Sequence, residues 1–479
     1  MEQPYIEKAM EEGFFPSYDD VLIKPRYSNL KPWEPELRGR FSKNVEMELP
    51  ISSAAMDRVT EEEMARRMAL RGGIGVIHRN MTPERQAEMV AKVKRSGYMI
   101  QDPVTVTPKM KVSEVYEISE RLGFQTFPVV KEERVVGIVT GRDLRLAKLM
   151  ELLGGEEKRV EDIMSREVVY VEPDASVEEA LKKMHESGIE KLLVLEEGKL
   201  YGLITLRDLE EIMTNPKATR DRKGRLKVGA AVGVFPHERK RVELLYKSEV
   251  DVIVIDSSHG YSQDIIRTLK EIKREYGDAF DVVAGNVATG EGAVALAQAG
   301  ADAVKVGIGP GAACITREVT GVGVPQLSAV YLASRALEKE GYDVPVIADG
   351  GIKNSGDIAK AFAAGADSVM IGSLLAGTDA SPGRMVIING VAYKDYRGMA
   401  SKAVLGTRAG YGRVPEGVEG FVPYRGKLEK VLDELEGGVK SAFAHVGARN
   451  MAEFREKAQL IRVSRIREGI KLYGVRDSV

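Results

Sequence analysis

Residues 281–307 read DVVAGNVATGEGAVALAQAGADAVKVG, where two short apolar runs flank a helical pattern. Such runs recur along the chain, and continuous apolar strands that alternate with helices are typical of a parallel sheet covered by helices. We find eight of them, at 50–56, 73–78, 229–233, 250–256, 281–286, 303–307, 344–349 and 368–372. A closed (β/α)8 barrel needs eight such units. The sequence therefore predicts an α/β protein with a TIM barrel, and an open doubly wound sheet is the alternative.

The overall composition argues against several classes of protein. The 479 residues carry a formal net charge of −2, and no basic run is long enough to favour a nucleic-acid partner. No apolar stretch reaches the roughly 18 residues of a membrane span, and the N-terminus lacks a signal-peptide pattern. The single cysteine excludes a disulfide framework and fits a reducing cytosol. We expect a cytoplasmic protein that binds neither nucleic acid nor membrane.

The regular spacing is interrupted between the second and third apolar runs. We expect residues 97–216 to form an inserted domain, so that the barrel is built from 1–96 and 217–479. Within the insertion, GIVTGRDL at 137–144 matches GLITLRDL at 202–209, and Pro108 matches Pro173, at one offset of 65 residues. Tandem copies of one unit predict a pseudo-symmetric pair that buries a shared face.

Each copy resembles a CBS module, and the pair resembles a Bateman domain. The resemblance implies a regulatory domain that binds purine nucleotides. It places a ribose contact on the Thr-x-x-Asp of each copy, which is Thr140 with Asp143 and Thr205 with Asp208. The alternative is that each aspartate only caps the helix that follows it.

The only cysteine, Cys314, lies in the glycine-rich loop GIGPGAACITR at 307–317, directly after the sixth apolar run. Glycines let the backbone turn sharply, so the thiol is presented at the end of a strand, with the hydroxyl of Thr316 two residues on. Cysteine is intrinsically nucleophilic, and a small fraction is thiolate at neutral pH. Cys314 is therefore our candidate nucleophile, and the alternative is a small buried apolar residue.

Further candidates follow the other strands, because barrel enzymes place their sites on the loops after the strands. Glycines after the seventh and eighth strands let backbone N–H groups converge on an anion, which predicts a phosphate site. Asp349, beside those glycines, is placed to hold the hydroxyls of an attached ribose; an ordinary turn is the alternative. The strand-end candidates are Asp256, Ser257, Ser258, Asn286, Asp349, Gly350, Gly351, Gly372 and Ser373.

Five motifs together resemble the IMP dehydrogenase/GMP reductase family: SSAAMD at 52–57, GVIHRN at 75–80, the cysteine loop at 309–316, IADGGI at 347–352 and YRGM at 396–399. The resemblance covers essentially the whole chain. It implies a barrel that binds a purine nucleoside monophosphate and a nicotinamide cofactor, and a homotetramer that can pair into an octamer. It implies that Cys314 attacks C2 of the purine.

The same resemblance assigns residues to the two ligands. It implies that Asp256, Ser257, Ser258 and Asn286 contact the cofactor. A monovalent cation, K+, would bind to the backbone carbonyls of Gly309, Gly311 and Cys314. The substrate contacts would be Ser52, Met56, Asp349, Gly350, Gly351, Gly372, Ser373, Tyr396, Gly398, Met399, Ser401 and Glu416.

Two reactions of this family share the Cys314 adduct. IMP dehydrogenase oxidises IMP with NAD and then hydrolyses the adduct to XMP, whereas GMP reductase expels ammonia from GMP and takes hydride from NADPH. The resemblance gives Thr316 and Glu416 a proton relay. The alternative for Glu416 is a hydrogen bond to purine N1 without proton transfer.

The sequence departs from the dehydrogenase pattern in its flap, about residues 398–426. The flap is short and reads RAGY at 408–411, without the Arg-Tyr pair whose arginine activates water in dehydrogenases. GMAS at 398–401 and Thr320 also resemble reductases, whereas the inserted module pair, which most reductases lack, argues the other way. Ala312 stands where the family usually has serine, so one phosphate hydrogen bond is in doubt. We expect an NADPH-dependent GMP reductase regulated by nucleotides; IMP dehydrogenase is the alternative, and a sensor without catalysis is a third hypothesis.

Overall fold

The computed structural model describes residues 4–95, 103–406 and 414–464. The chain forms two compact units. The first contains the described residues up to Lys94, Lys217–Asp221 and those from Leu226 onward, and the second contains the described residues from Arg95 to Pro216 with Arg222–Arg225. The boundary expected between residues 96 and 97 lies outside the described residues.

The first unit is a closed barrel of eight parallel strands, which confirms the predicted fold class. Each strand coincides with one of the eight apolar runs, because strands buried on both faces of a parallel sheet are apolar throughout. The order around the barrel is the order along the chain, and β2 closes the ring on β3 through Gly229 and Ala230. The strands are β1 (Ile51–Ser53), β2 (Ile74–Ile77), β3 (Gly229–Val232), β4 (Val252–Asp256), β5 (Asp281–Val287), β6 (Ala303–Val306), β7 (Val346–Asp349) and β8 (Ser368–Ile371).

A helix follows each strand and covers the outside of the barrel. Thr289 and Asn354 begin two of these helices, since their side chains accept hydrogen bonds from the N–H groups of Gly292 and Asp357. The helices are α1 (Glu62–Leu70), α2 (Pro83–Arg95), α3 (Arg239–Lys247), α4 (Gln263–Tyr276), α5 (Gly290–Gln298), α6 (Gln326–Lys339), α7 (Ser355–Ala363) and α8 (Leu428–Val446).

Shorter elements complete the first unit. A three-stranded antiparallel sheet of Met385–Ile388, Val391–Arg397 and Glu419–Pro423 follows β8. The other strands are Val21–Ile23, which pairs with Leu460–Arg462, and Gly39–Ser42, which pairs with Val45–Met47. The other helices are Pro4–Glu11, Tyr18–Asp20, Thr316–Thr320, Ser373–Ala376, Lys402–Leu405 and Met451–Lys457.

The second unit is a five-stranded sheet with helices, and it is built from the two sequence copies. Thr126–Lys131 and Arg134–Thr140 come from the first copy, and Tyr170–Val171, Lys191–Glu196 and Lys199–Thr205 come from the second. The copies meet where Lys199 pairs with Arg134. The helices are Val112–Leu122, Gly141–Leu152, Val160–Ile163, Val177–Ser187 and Leu206–Thr214.

Candidate active site

The loop after β6 presents the cysteine at the carboxyl end of the barrel. Gly309 has a φ of +82°, a left-handed conformation that favours glycine. The Cys314 N–H donates to the Gly311 carbonyl at 3.0 Å, which closes a tight turn. The thiol is partly exposed rather than buried in the core. Cys314 therefore lies where a ligand can reach it.

Cys314, Thr316 and Glu416 form a continuous hydrogen-bonded row. The Cys314 Sγ lies 3.2 Å from Thr316 Oγ1, and Thr316 Oγ1 donates to Glu416 Oε2 at 2.7 Å. A hydroxyl has one proton to donate, and the carboxylate receives it. Across the 3.2 Å contact the thiol is therefore the donor, so that a proton path leads from sulfur to Glu416.

The segment at 414–418 is tied to the cysteine loop by backbone bonds. The Ile315 N–H donates to the Glu416 carbonyl at 2.9 Å, and the Val418 N–H donates to the Ala313 carbonyl at 2.9 Å. This bridge brings Glu416 to Thr316 although the two are 100 positions apart. The motif at 408–411, on which the flap hypothesis depends, lies outside the described residues.

A cavity of about 380 Å³, which we call the small cavity, lies between the cysteine loop and the ends of β7 and β8. Gly350 and Gly351 have φ values of +91° and +79°, so they turn their backbones sharply beside it. A Cβ on Gly350 would lie 3.0 Å from Pro310 Cγ, so glycine keeps the two loops close together. The candidates that line this cavity are Met56, Gly311, Asp349, Gly350, Gly351, Gly372, Ser373 and Tyr396.

Tyr396 forms one wall of the small cavity and is 8% exposed. Its hydroxyl lies 3.6 Å from Met56 Sδ, and burial raises the pKa of the phenol, so that it is a neutral hydrogen-bond donor at neutral pH. The next residue, Arg397, anchors this strand by pairing with Asp57. Burial alone would raise the pKa of Asp57, but hydrogen bonds from Arg397 and Asn80 outweigh it and hold that pKa below its usual value.

A second cavity of about 770 Å³, the large cavity, opens beside Cys314. It shares Pro310, Gly311, Asp349 and Gly350 with the small cavity. The two cavities thus flank the thiol loop. The candidates along the large cavity are Asp256, Ser257, Ser258, Asn286, Gly309, Gly311, Cys314, Thr316, Asp349, Gly350, Met399 and Glu416.

Lys305 joins the floor of the large cavity, and sequence reasoning missed it. Its Nζ lies 2.7 Å from Asp256 Oδ1 and 2.7 Å from Asp349 Oδ2, and it also donates to Asn286 Oδ1. Burial would lower the pKa of Lys305, but the two carboxylates outweigh it and raise that pKa. The available signal was a lysine inside the otherwise apolar run at 303–306.

Three expected substrate contacts are not on the linings of these cavities. Ser52 lies within β1, fully buried, and its hydroxyl donates to the Val369 carbonyl at 3.1 Å. Ser401 is also fully buried, and no hydrogen-bond partner is found for its hydroxyl among the described residues. Gly398 is buried against Ala313 and Gly417, where a Cβ would clash with the Ala313 carbonyl.

The four expected regulatory residues lie in the second unit at equivalent helix starts. Asp143 Oδ2 accepts from the N–H of Thr140 at 2.9 Å and from the Thr140 hydroxyl at 2.7 Å. In the second copy, Asp208 Oδ2 accepts from the N–H of Thr205 at 3.0 Å and from the Thr205 hydroxyl at 2.6 Å. Each aspartate therefore takes part in capping the helix that follows it. Each Oδ1 has no partner in the described part of the chain.

The described ranges 4–95, 103–406 and 414–464 contain no group of three or more His, Cys, Asp or Glu side chains arranged to hold a metal ion. None of their helices is long and apolar enough to cross a membrane.

Comparison with known proteins gives the family. The chain is 46% identical to an inosine-5'-monophosphate dehydrogenase of Aquifex aeolicus, over 96% of this chain and 94% of that protein. It is 45% identical to one of Escherichia coli, over 94% and 93%. A crystal structure of a Trypanosoma brucei GMP reductase variant in complex with guanosine 5'-monophosphate matches with a TM-score of 0.83 at 39% identity, over 95% of this chain and 97% of that one. The family described as "IMP dehydrogenase / GMP reductase domain" matches residues 16–470, and the chain therefore belongs to the IMP dehydrogenase/GMP reductase family.

Proposed function

We propose that the chain reduces GMP to IMP, with release of ammonia, through an adduct on Cys314. The observation that carries this proposal is the row from the Cys314 thiol through Thr316 to Glu416, which lines the large cavity and starts on a loop that borders the small cavity as well. In this reading the small cavity holds the nucleotide phosphate and ribose. The glycine turns after β7 and the buried Tyr396 hydroxyl supply donors to an anion there.

The protein groups then act in a fixed order. Glu416 takes the thiol proton through Thr316, and the sulfur forms a bond to C2 of the purine. The same two groups return a proton to the C2 amine, which leaves as ammonia. A nicotinamide cofactor in the large cavity would supply a hydride to C2, and Cys314 leaves as its thiolate when the carbon–sulfur bond breaks.

The large cavity fits a nicotinamide cofactor. Asp256 Oδ2 has no hydrogen-bond partner among the described residues, so it remains available to a ribose hydroxyl or an amide N–H. Ser257, Ser258 and Asn286 lie on the same wall. The carbonyls of Gly309, Gly311 and Cys314 are oxygen ligands of the type that K+ takes, and they would hold that ion in the cysteine loop.

We place GMP reduction first because the chain lacks the water-activating Arg-Tyr pair in its flap. Expulsion of ammonia needs a proton donor and a relay, whereas hydrolysis needs a base that is strong enough to activate water. The overall similarity to a GMP reductase structure along 95% of the chain supports this reading.

IMP dehydrogenase is the second candidate, and a specific observation favours it. The curated relatives that match at 45–46% identity over nearly the whole chain carry that name, and they support the dehydrogenase better than the reductase. In that reaction the cofactor would be NAD, and Glu416 would act on water through Thr316.

One assay separates the candidates. Purified protein is mixed with GMP and NADPH, and separately with IMP and NAD, while the absorbance of the reduced nicotinamide is followed. Loss of signal in the first mixture supports the reductase, and gain in the second overturns it in favour of the dehydrogenase. Silence in both, with nucleotide still bound, would leave a sensor. Cys314→Ser is expected to abolish either activity.

For the second unit we propose regulation by a purine nucleotide. The free Oδ1 atoms of Asp143 and Asp208, at equivalent helix starts, support a pair of ribose contacts. Assembly into a homotetramer, and pairing into an octamer, belongs to the same proposal. Titration of ATP or GTP into the wild type and into Asp143→Ala with Asp208→Ala tests it by calorimetry, since the double variant is expected to lose binding.

A further inference from the structure

Lys305 reaches both candidate ligand sites from inside the barrel. It is 3% exposed, and its ammonium contacts Asp256, Asp349 and Asn286. An ammonium has three N–H donors, so these partners use all of them. A Cβ on the paired residue Gly285 would lie 2.7 Å from Lys305 Cβ, so the neighbouring strand is shaped to admit this lysine.

Each carboxylate keeps one oxygen for a ligand. Lys305 Nζ donates to Asp256 Oδ1 and to Asp349 Oδ2. Asn286 Nδ2 also donates to Asp349 Oδ2, at 2.9 Å. Asp256 Oδ2 and Asp349 Oδ1 have no partner in the described part of the chain. Both residues line the large cavity, and Asp349 lines the small one as well.

The two carboxylates are close enough to repel each other strongly. Two distances of 2.7 Å to one nitrogen put Asp256 Oδ1 and Asp349 Oδ2 at most twice that distance apart. Two negative charges at such a separation each disfavour the other's ionised form unless a cation offsets their repulsion. Lys305 is the cation that lies between them.

We infer that Lys305 is the positioning residue that allows cofactor and nucleotide to be bound at the same time. The inference rests on the proposed function, since it assigns Asp256 to the cofactor and Asp349 to the nucleotide ribose. A ligand hydroxyl donates to an ionised carboxylate. Lys305 offsets the repulsion between the two carboxylates, so each can accept from its ligand whether or not the other ligand is bound.

Without the lysine, binding of one ligand is expected to weaken binding of the other. In Lys305→Met this repulsion is no longer offset by the lysine, so a charge held on one carboxylate for its ligand disfavours a charge on the other. Binding both ligands forces both groups to ionise side by side. The variant is therefore expected to show antagonism between the ligands that the parent protein lacks.

The experiment measures this antagonism in a Cys314→Ala background, which prevents turnover. NADPH affinity is measured by calorimetry with and without saturating GMP, and the ratio of the two dissociation constants is the readout. Lys305→Met is expected to change this ratio at least tenfold toward antagonism, and Lys305→Arg is expected to stay near the parent. Adding Asp349→Asn to Lys305→Met removes one of the repelling charges and is expected to abolish the antagonism.

Lys94 provides a matched control. It is 4% exposed, and its ammonium also joins two aspartates, Asp221 at 2.8 Å and Asp251 at 2.9 Å. Asp251 precedes β4, whereas Asp256 ends it, so Lys94 lies at the opposite end of the barrel from Lys305. Lys94→Met is expected to lower the melting temperature without changing the affinity ratio.

Three results would overturn the inference. The first is a ratio of NADPH dissociation constants in Lys305→Met that stays within about threefold of the parent. The second is an equal change of that ratio in Lys94→Met. The third is a melting temperature of Lys305→Met that does not rise when Asp349→Asn is added. The last comparison holds even where the single variant folds poorly. Failure of the parent to bind GMP and NADPH at all is a different outcome, because it overturns the proposed function; the same ratios are then measured with IMP and NAD.

Discussion

Replacing Glu416 with glutamine tests the proton relay. Thr316 Oγ1 lies 2.7 Å from Glu416 Oε2 and 3.2 Å from the Cys314 sulfur, so the Glu416 carboxylate is the last group of the row. The amide keeps the size of the carboxylate but removes its charge and its capacity to take a proton. A hydrogen bond to a charged group contributes about 1.5–3 kcal/mol, and a general acid–base group contributes about 10²–10⁴-fold to rate. We expect Glu416→Gln to lower kcat by about 10²–10³-fold, or ~3–4 kcal/mol of barrier, and to leave the nucleotide KM within about threefold.

The assay is steady-state turnover of GMP with NADPH, followed by the loss of NADPH absorbance. Glu419→Gln is the matched control, because Glu419 directly follows the segment 414–418 and its carboxylate accepts, among the described residues, only from the Ala403 N–H at 2.9 Å. It is expected to leave kcat nearly unchanged. A fall in kcat of less than tenfold in Glu416→Gln would refute the relay. A rise in KM with unchanged kcat would instead assign Glu416 to the purine N1 contact.

Three further predictions concern the small cavity and the strand that carries Tyr396. Ala312→Ser adds a hydroxyl beside the proposed phosphate, and we expect the KM for GMP to fall about 2–10-fold with no gain for guanosine binding, measured by kinetics and calorimetry. Gly350→Ala should raise that KM more than about tenfold, because residue 350 has a φ of +91° and the new Cβ would lie 3.0 Å from Pro310 Cγ; an unchanged KM would contradict the phosphate assignment. Arg397→Met should lower the free energy of unfolding in urea by about 2 kcal/mol at neutral pH. Arg397 lowers the pKa of Asp57, so this stabilisation is present above the usual pKa of 3.8 and is lost as the pH falls through the lowered value. A difference in unfolding free energy between the parent and Arg397→Met that stays constant down to acid pH would contradict this.

The barrel could be predicted from sequence because its signal is local and repeated. Each of β1 to β8 is a run that is buried on both faces, and the eight runs match the observed strands to within about two residues at most ends. The pairing of Cys314 with Thr316 was also local, since a turn separates them by two positions. Closure of the barrel then fixes which loops meet, so strand-end candidates of β4 to β7 lie together at the large cavity and those of β7 and β8 at the small one.

The rest of the site depends on contacts between distant segments. Lys305 was not predicted because its three partners lie on β4, β5 and β7, and a lone lysine in an apolar run does not show which way its side chain points. Glu416 entered only through the family resemblance, because a bridge across 100 positions leaves no periodic signal. Ser52 belongs to a motif of the family, yet its hydroxyl is occupied by the Val369 carbonyl inside the barrel.

The charges on the large cavity decide which group can act as a base in either reaction. Asp256 and Asp349 are both paired with Lys305, and Glu238 is paired with Arg241 at 2.5 Å. Among the described residues that line this cavity, Glu416 is the one carboxylate without a cationic partner. A paired carboxylate is a weak base because the cation stabilises its ionised form. If the chain hydrolysed an adduct, Glu416 would therefore have to activate water through the single hydroxyl of Thr316. Expulsion of an amine is less demanding, because Thr316 and Glu416 only return to the amine the proton that they took from the thiol.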